Sequence, residues 1–137
     1  MGGGVPAEFW SYAGHAPDNP QNEPFLPWMY QVANTSDADV PLVFSTWYGG
    51  PAATVSMPYM NRIEAEFHKV GARGITLFFA SGDSGVTPDS GSCTGGRFAG
   101  QWPAGSPWVT GVGGTETGLL GGAEKAWGGS AGGFSDR

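Results

Sequence analysis

The stretch Ile75 to Ala80 constrains this chain more than any other: its residues, ITLFFA, are almost all apolar and run without a break into Ser81, Gly82, Asp83, Ser84 and Gly85. An apolar run of that length has no polar face to offer water, so it reads as a strand covered on both sides, the habit of a parallel sheet. Just upstream, Ser56 is a suitable N-cap and Pro58 suits a first helical turn. Tyr59, Met60, Ile63, Phe67 and Val70 then fall on one helical arc while Arg62, Ala65 and Lys69 face away, and Gly71 stands where the helix would stop. Before that helix, Val40 to Tyr48 is rich in β-branched and aromatic residues and is broken by Gly49, Gly50 and Pro51, which predicts another buried strand. Strand, helix and strand in that order make a βαβ unit, so the expected fold class is α/β with a parallel sheet.

The flanks are less regular. Glu8 to Ala13 is expected to be a strand, and a short helix is expected to begin near Pro24 and run through Trp28 to Val32, with a loop from Asn34 to Asp39. Pro88 to Gly105 has several Gly and Pro and no period, the composition of a long loop, and Trp108 to Val112 is a further short strand. The tail carries Gly121, Gly122, Gly128, Gly129, Gly132 and Gly133, and cannot build a core by itself. With 137 residues the chain makes one small domain or part of one.

Charge and cysteine content exclude several function classes. Twelve acidic against six basic side chains leave a net charge of −6 and no basic stripe to neutralise phosphates, so nucleic acid is not an expected partner. The same acidity, pI near 4.6, is compatible with work in an acidic compartment. Cys93 is the single cysteine; no internal disulfide, zinc-type spacing or CxxC pair is possible, and any partner thiol lies elsewhere. The first residues lack the basic and apolar regions of a signal peptide, and no apolar run approaches membrane-spanning length. Asn34, Thr35 and Ser36 form one glycosylation sequon, meaningful in a secretory setting. Trp10, Trp28, Trp102, Trp108 and Trp127 suggest either a sugar-binding platform or, more simply, core filling.

Asp83 follows the apolar strand and sits among glycines, at a strand end where α/β folds commonly place their chemistry. On that context alone it serves equally as a turn residue or as a catalytic acid. The letters GDSG also occur at the nucleophile of chymotrypsin-like proteases, which would make Ser84 the attacking group. That reading requires a histidine base and an aspartate to orient it. Here His68 lies mid-helix, His15 lies in a loop without the expected flanks, and the βαβ pattern contradicts a double antiparallel barrel.

Taken together, GARGITLFFASGDSG, WPAGSPWVTGVGGTE and SAGGFS resemble consecutive blocks of the sedolisin family of serine-carboxyl peptidases, including its tripeptidyl-peptidase branch. NEPFLPWMYQ and VFSTWYGG resemble the preceding blocks, so the likeness spans nearly the whole chain in the right order. The resemblance implies a subtilisin-like parallel sheet between helices, here incomplete, with residues 1–137 forming part of a peptidase catalytic domain. It implies peptide or protein substrates cleaved at acidic pH. It makes Asp83 the oxyanion residue, Trp47, Tyr48 and Gly49 the block whose backbone pairs with an extended substrate, and Ser81 and Gly82 the opposite wall.

The family's catalytic Glu and Asp are expected just before the position of Met1, and its nucleophilic Ser and its calcium site beyond Arg137. No metal or other cofactor is therefore assigned to these residues, and the chain alone is expected to be inactive. It is expected to be a truncated version of a protein that is secreted or resides in a lysosomal or vacuolar compartment. The alternative is a non-catalytic homologue that holds extended peptides without cutting them.

Overall fold

The computed structural model describes residues 3–87, 98–118 and 121–131. Cys93, Gly132, Gly133 and the last letters of the SAGGFS block lie outside the described residues, as does most of the expected Pro88 to Gly105 loop.

Helix α1 spans Phe25–Asn34, directly after Pro24, as the sequence predicts. Strand β1 is Val43–Thr46, shorter than the Val40 to Tyr48 run, and β2 is the two-residue Gly50–Pro51. Helix α2 covers Met57–Ala72, with Ser56 Oγ accepting the Tyr59 N–H at 3.4 Å and a proline in the first turn. The helix does not stop at Gly71. It closes three residues later, where Gly74 takes φ +78° and two bonds, Gly74 N–H to Gly71 O (2.9 Å) and Ile75 N–H to Val70 O (3.3 Å), satisfy its last carbonyls. The chain then enters β3, Thr76–Ala80, followed by β4 (Gln101–Trp102), β5 (Thr110–Val112), β6 (Thr115–Glu116) and β7 (Lys125–Ala126).

β1, β3 and β5 form a parallel sheet with β3 in the centre, Phe44 beside Leu77 and Ala80 beside Val112. β2 pairs with β4 and β6 with β7, both antiparallel. One sheet face carries Phe44, Leu77 and Phe79 and is covered by both helices. Trp28 lies 5.6 Å from Phe44, and Phe25 and Phe67 lie 5.9 and 5.6 Å from Phe79, ring centre to ring centre. Phe79, Phe67, Met29, Ile63, Leu77 and Val32 are fully buried there. Arg73 ties the helix ends together, donating to Val32 O (2.6 Å), Thr35 O (2.8 Å) and Asp37 Oδ1 (2.8 Å), and so satisfies carbonyls that α1 leaves open.

The other face carries Val43, Ser45, Thr76, Phe78, Ala80 and Val112, and among the described residues it stays open, with Val43 58% and Val112 49% exposed. This corrects the expectation of strands buried on both sides. Among the described residues the sheet has one cover, which is the physical sense in which this α/β fold is incomplete. Glu8 to Ala13 is not a strand either: Trp10 packs edge-on against Phe44 at 5.0 Å and the Tyr12 hydroxyl donates to Gln31 (2.8 Å), so side chains rather than a backbone ladder anchor it.

Candidate functional site

Because β1, β3 and β5 run parallel and finish side by side, their C-terminal ends open into one groove of about 540 Å³. Thr46 and Trp47 line it at the end of β1, Ala80 through Asp83 at the end of β3, and Val112 through Gly114 at the end of β5, together with Ser45, Phe78 and Trp127. Asp83, expected from the resemblance to be the oxyanion residue, and Trp47, expected to border the substrate, line the same groove, and both are exposed. Ser81 and Gly82 line it as well. Tyr48 does not: its ring packs on Phe25 at 5.8 Å and its hydroxyl accepts the Glu23 N–H at 3.3 Å. Gly49 lies at a close crossing, where an added Cβ would sit 3.4 Å from both Ala80 O and Trp102 O.

The turn that presents Asp83 is held by glycines on either side. Gly82 has φ +93° and Gly85 φ +59°, values that side chains disfavour, and a Cβ on Gly82 would lie 3.2 Å from Gln101 Cδ. Backbone bonds fix the turn to its neighbours: Ser81 N–H donates to Val112 O at 2.9 Å, and Gly85 N–H to Gly129 O at 2.8 Å. The segment containing Gly129 is anchored in turn by Ser130, whose hydroxyl accepts the Gly114 N–H at 2.6 Å, and by Trp127 N–H on Gly114 O at 3.0 Å. Ser81 Oγ is buried beside the groove without a hydrogen-bond partner among the described residues.

Neither His15 nor His68, the two histidines of the chain, lines the groove. His68 is a surface side chain whose ring stacks on Trp108 at 4.2 Å. Trp28 and Trp102 are core residues and Trp10 packs against the core, whereas Trp108 and Trp127 remain substantially exposed. Among the described residues no group of three or more His, Cys, Asp or Glu converges to hold a metal.

Residues that the sequence did not single out support the site from behind. Glu64 on α2 accepts from Trp102 Nε1 (2.8 Å) and Ser106 Oγ (2.6 Å), and Ser106 Oγ also accepts the Trp108 N–H (3.2 Å). That clamp holds the β4 segment whose Gln101 packs against Gly82. A glutamate one residue beyond a helix's buried stripe carries no local sign of partners this distant in sequence.

A parallel α/β unit with an aspartic acid presented at the C-terminal strand ends is the general class that fold and groove define. No family model matches the chain. It is 41% identical to tripeptidyl-peptidase 1 of Canis lupus familiaris over 115 residues, and 41% identical to that of Homo sapiens over 117, each covering 84% of this chain. The chain spans about a fifth of the length of these curated relatives, 20% in each case. Its fold matches Pseudomonas sedolisin, a serine-carboxyl proteinase solved with two molecules of pseudo-iodotyrostatin, at TM-score 0.56 and 29% identity, over 66% of this chain and 26% of that one. The chain belongs to the sedolisin family of serine-carboxyl peptidases.

Proposed function

We propose that this chain supplies the oxyanion wall and part of the substrate groove of a serine-carboxyl peptidase that cleaves peptide or protein substrates at acidic pH. The carrying observation is the placement of Asp83 at the end of β3, in the groove that Trp47 borders from β1. A carboxylate there would repel a developing oxyanion, so Asp83 helps only when it is protonated and donates a hydrogen bond. Acidic surroundings supply the proton. A neutral aspartic acid does the same work on an unrelated fold in ketosteroid isomerase. The substrate lies as an added strand between the Trp47 to Gly49 backbone and Ser81 and Gly82, as an endopeptidase or tripeptidyl-peptidase would hold it.

In the complete enzyme a Glu deprotonates the nucleophilic Ser, an Asp orients that Glu, and Asp83 stabilises the tetrahedral intermediate. Those three partners, and the family's calcium, belong to other parts of the protein, which works in a lysosomal, vacuolar or secreted acidic setting. No described helix is long and apolar enough to cross a membrane. The test is kinetic. In the complete enzyme Asp83→Asn lowers kcat by about 10²–10³ and alters the pH profile; an unchanged rate and profile would refute the assignment. The 137-residue chain alone binds peptide without turnover, and measurable cleavage by it would refute the division of labour.

A further inference from the structure

We propose that Trp127 is a specificity-determining residue, its indole forming an apolar shelf in the Asp83 groove for a large apolar or aromatic side chain of the peptide substrate. The inference rests on the peptidase reading of that groove. Of the chain's six tryptophans, two line the groove, Trp47 and Trp127. Trp28 and Trp102 are buried in the core, Trp10 packs against it, and Trp108 stacks on His68. Trp127 is 38% exposed, so the protein holds one part of its side chain and leaves the other open.

A short hairpin brings Trp127 to the groove. β6 follows β5 through Gly113 and Gly114, β7 returns antiparallel to it, and Trp127 is the next residue. Its backbone is fixed there, since Trp127 N–H donates to Gly114 O and Ser130 N–H to Trp127 O, each at 3.0 Å. Two glycines seat the ring. A Cβ on Gly129 would lie 2.5 Å from Cη2 and Cζ2, and one on Gly114 would lie 3.5 Å from Cε3, so the indole occupies space that a side chain on Gly129 would need. Gly85 N–H donates to Gly129 O at 2.8 Å, which ties this seat to the turn that presents Asp83 two residues earlier. Backbone bonds therefore set where the ring stands relative to Asp83. Val112, Gly113 and Gly114 line the groove from the end of β5, and two of the three carry no side chain, so little bulk competes with a substrate for the space beside the ring. A ring held in place before substrate arrives loses little freedom on binding, while an aromatic or large aliphatic partner gains buried area and ring contact.

The test is a ratio measured in the complete enzyme. kcat/KM is determined for matched peptides in which one position at a time, on either side of the cleaved bond, is Ala or Phe. The wild type is expected to prefer Phe at one position, and Trp127→Ala to lower that preference by about 2- to 10-fold, the worth of one aromatic contact. Trp127→Phe should keep most of the preference, and Gly129→Ala, which displaces the ring while Trp127 stays present, should lose it. A loss of equal size on Phe and Ala peptides, as a purely structural role would give, or no loss at all, overturns the proposal. Asp83→Asn measured in parallel separates this inference from the reading beneath it. That variant lowers the rate on Phe and Ala peptides alike and keeps their ratio, so the Asp83 assignment fails in the rate and the Trp127 assignment in the ratio.

Discussion

Glu64 offers the sharpest test of how the groove is supported. Its carboxylate accepts two hydrogen bonds, from Trp102 Nε1 at 2.8 Å and Ser106 Oγ at 2.6 Å, and both donors belong to residues at most 7% exposed. A hydrogen bond to a charged group contributes about 1.5–3 kcal/mol when buried. The carboxylate itself is only part-buried, which puts both bonds at the lower end, so Glu64→Ala is expected to cost about 3 kcal/mol and leave the Trp102 indole N–H stranded. For a chain of this size that lowers Tm by roughly 10 °C. Glu64→Gln retains an oxygen for Trp102 and can reverse the bond to Ser106, so it should cost only about 1 kcal/mol. Urea melts followed by tryptophan fluorescence in dilute solution measure both. A double-mutant cycle of Glu64→Ala with Ser106→Ala should show a coupling of at least about 0.5 kcal/mol. Loss of less than about 0.5 kcal/mol in Glu64→Ala, within the ordinary range for surface changes, would refute the clamp.

Glu66 is buried and takes hydrogen bonds from Lys69 (3.0 Å) and Arg62; burial pulls its carboxyl upward, but the two cations outweigh it and hold it below its ordinary value. A depressed carboxyl gives stability that is present above the unfolded value and lost as pH falls through the folded one, so Glu66→Gln should be about 1 kcal/mol less stable near pH 7. The difference should shrink below about pH 4 in pH-resolved melts. Gly111→Ala would put a methyl 2.9 Å from the Ala104 carbonyl oxygen and should cost about 1–3 kcal/mol, whereas Gly122→Ala, with nothing within 4 Å, should be near neutral in the same denaturation assay. The open sheet face predicts concentration-dependent association, which Val43→Lys with Val112→Lys should suppress in sedimentation velocity without altering far-ultraviolet circular dichroism; unchanged association would exonerate that face.

The parts of the fold legible in sequence were those whose signal is local. Helix α2 shows a cap and a continuous apolar arc, and β3 shows an apolar run ending in glycines, so both elements and the strand-end position of Asp83 can be read directly. Gly71 misleads because a glycine is tolerated inside a helix, and only Gly74 adopts the left-handed conformation that closes it. Trp10 and Tyr12 alternate as a strand would, yet their partners are the Phe44 ring and Gln31 rather than a neighbouring backbone. The resemblance groups Tyr48 with Trp47 and Gly49 through their backbone, and it carries no information on the Tyr48 side chain, which packs on Phe25. The β2–β4 pair is two residues per strand, too short to show a period. Glu64, Ser130 and Arg73 act across the fold, on partners fixed only after the sheet and helices have assembled.

The role proposed for Asp83 asks that the groove keep its shape when carboxylates lose their charge, and its frame is made accordingly. Phe79, which lines the groove, belongs to an aromatic cluster in which Phe25 meets Trp102 at 5.3 Å and Phe67 meets Phe79 at 5.6 Å, and none of these rings titrates. The turn itself is held by peptide bonds to Val112 O and Gly129 O, equally indifferent to pH. Titratable contacts that do reach the frame lie behind it, and the one at Glu64 can survive protonation, since a neutral carboxyl still offers an acceptor to Trp102 and can exchange donor and acceptor with Ser106. Ion pairs such as Lys125 with Glu116 sit on exposed side chains, where loss of charge changes little. The position of Asp83 is thereby left to groups that carry no titratable charge, which is the separation that the hydrogen-bond donor proposed above requires.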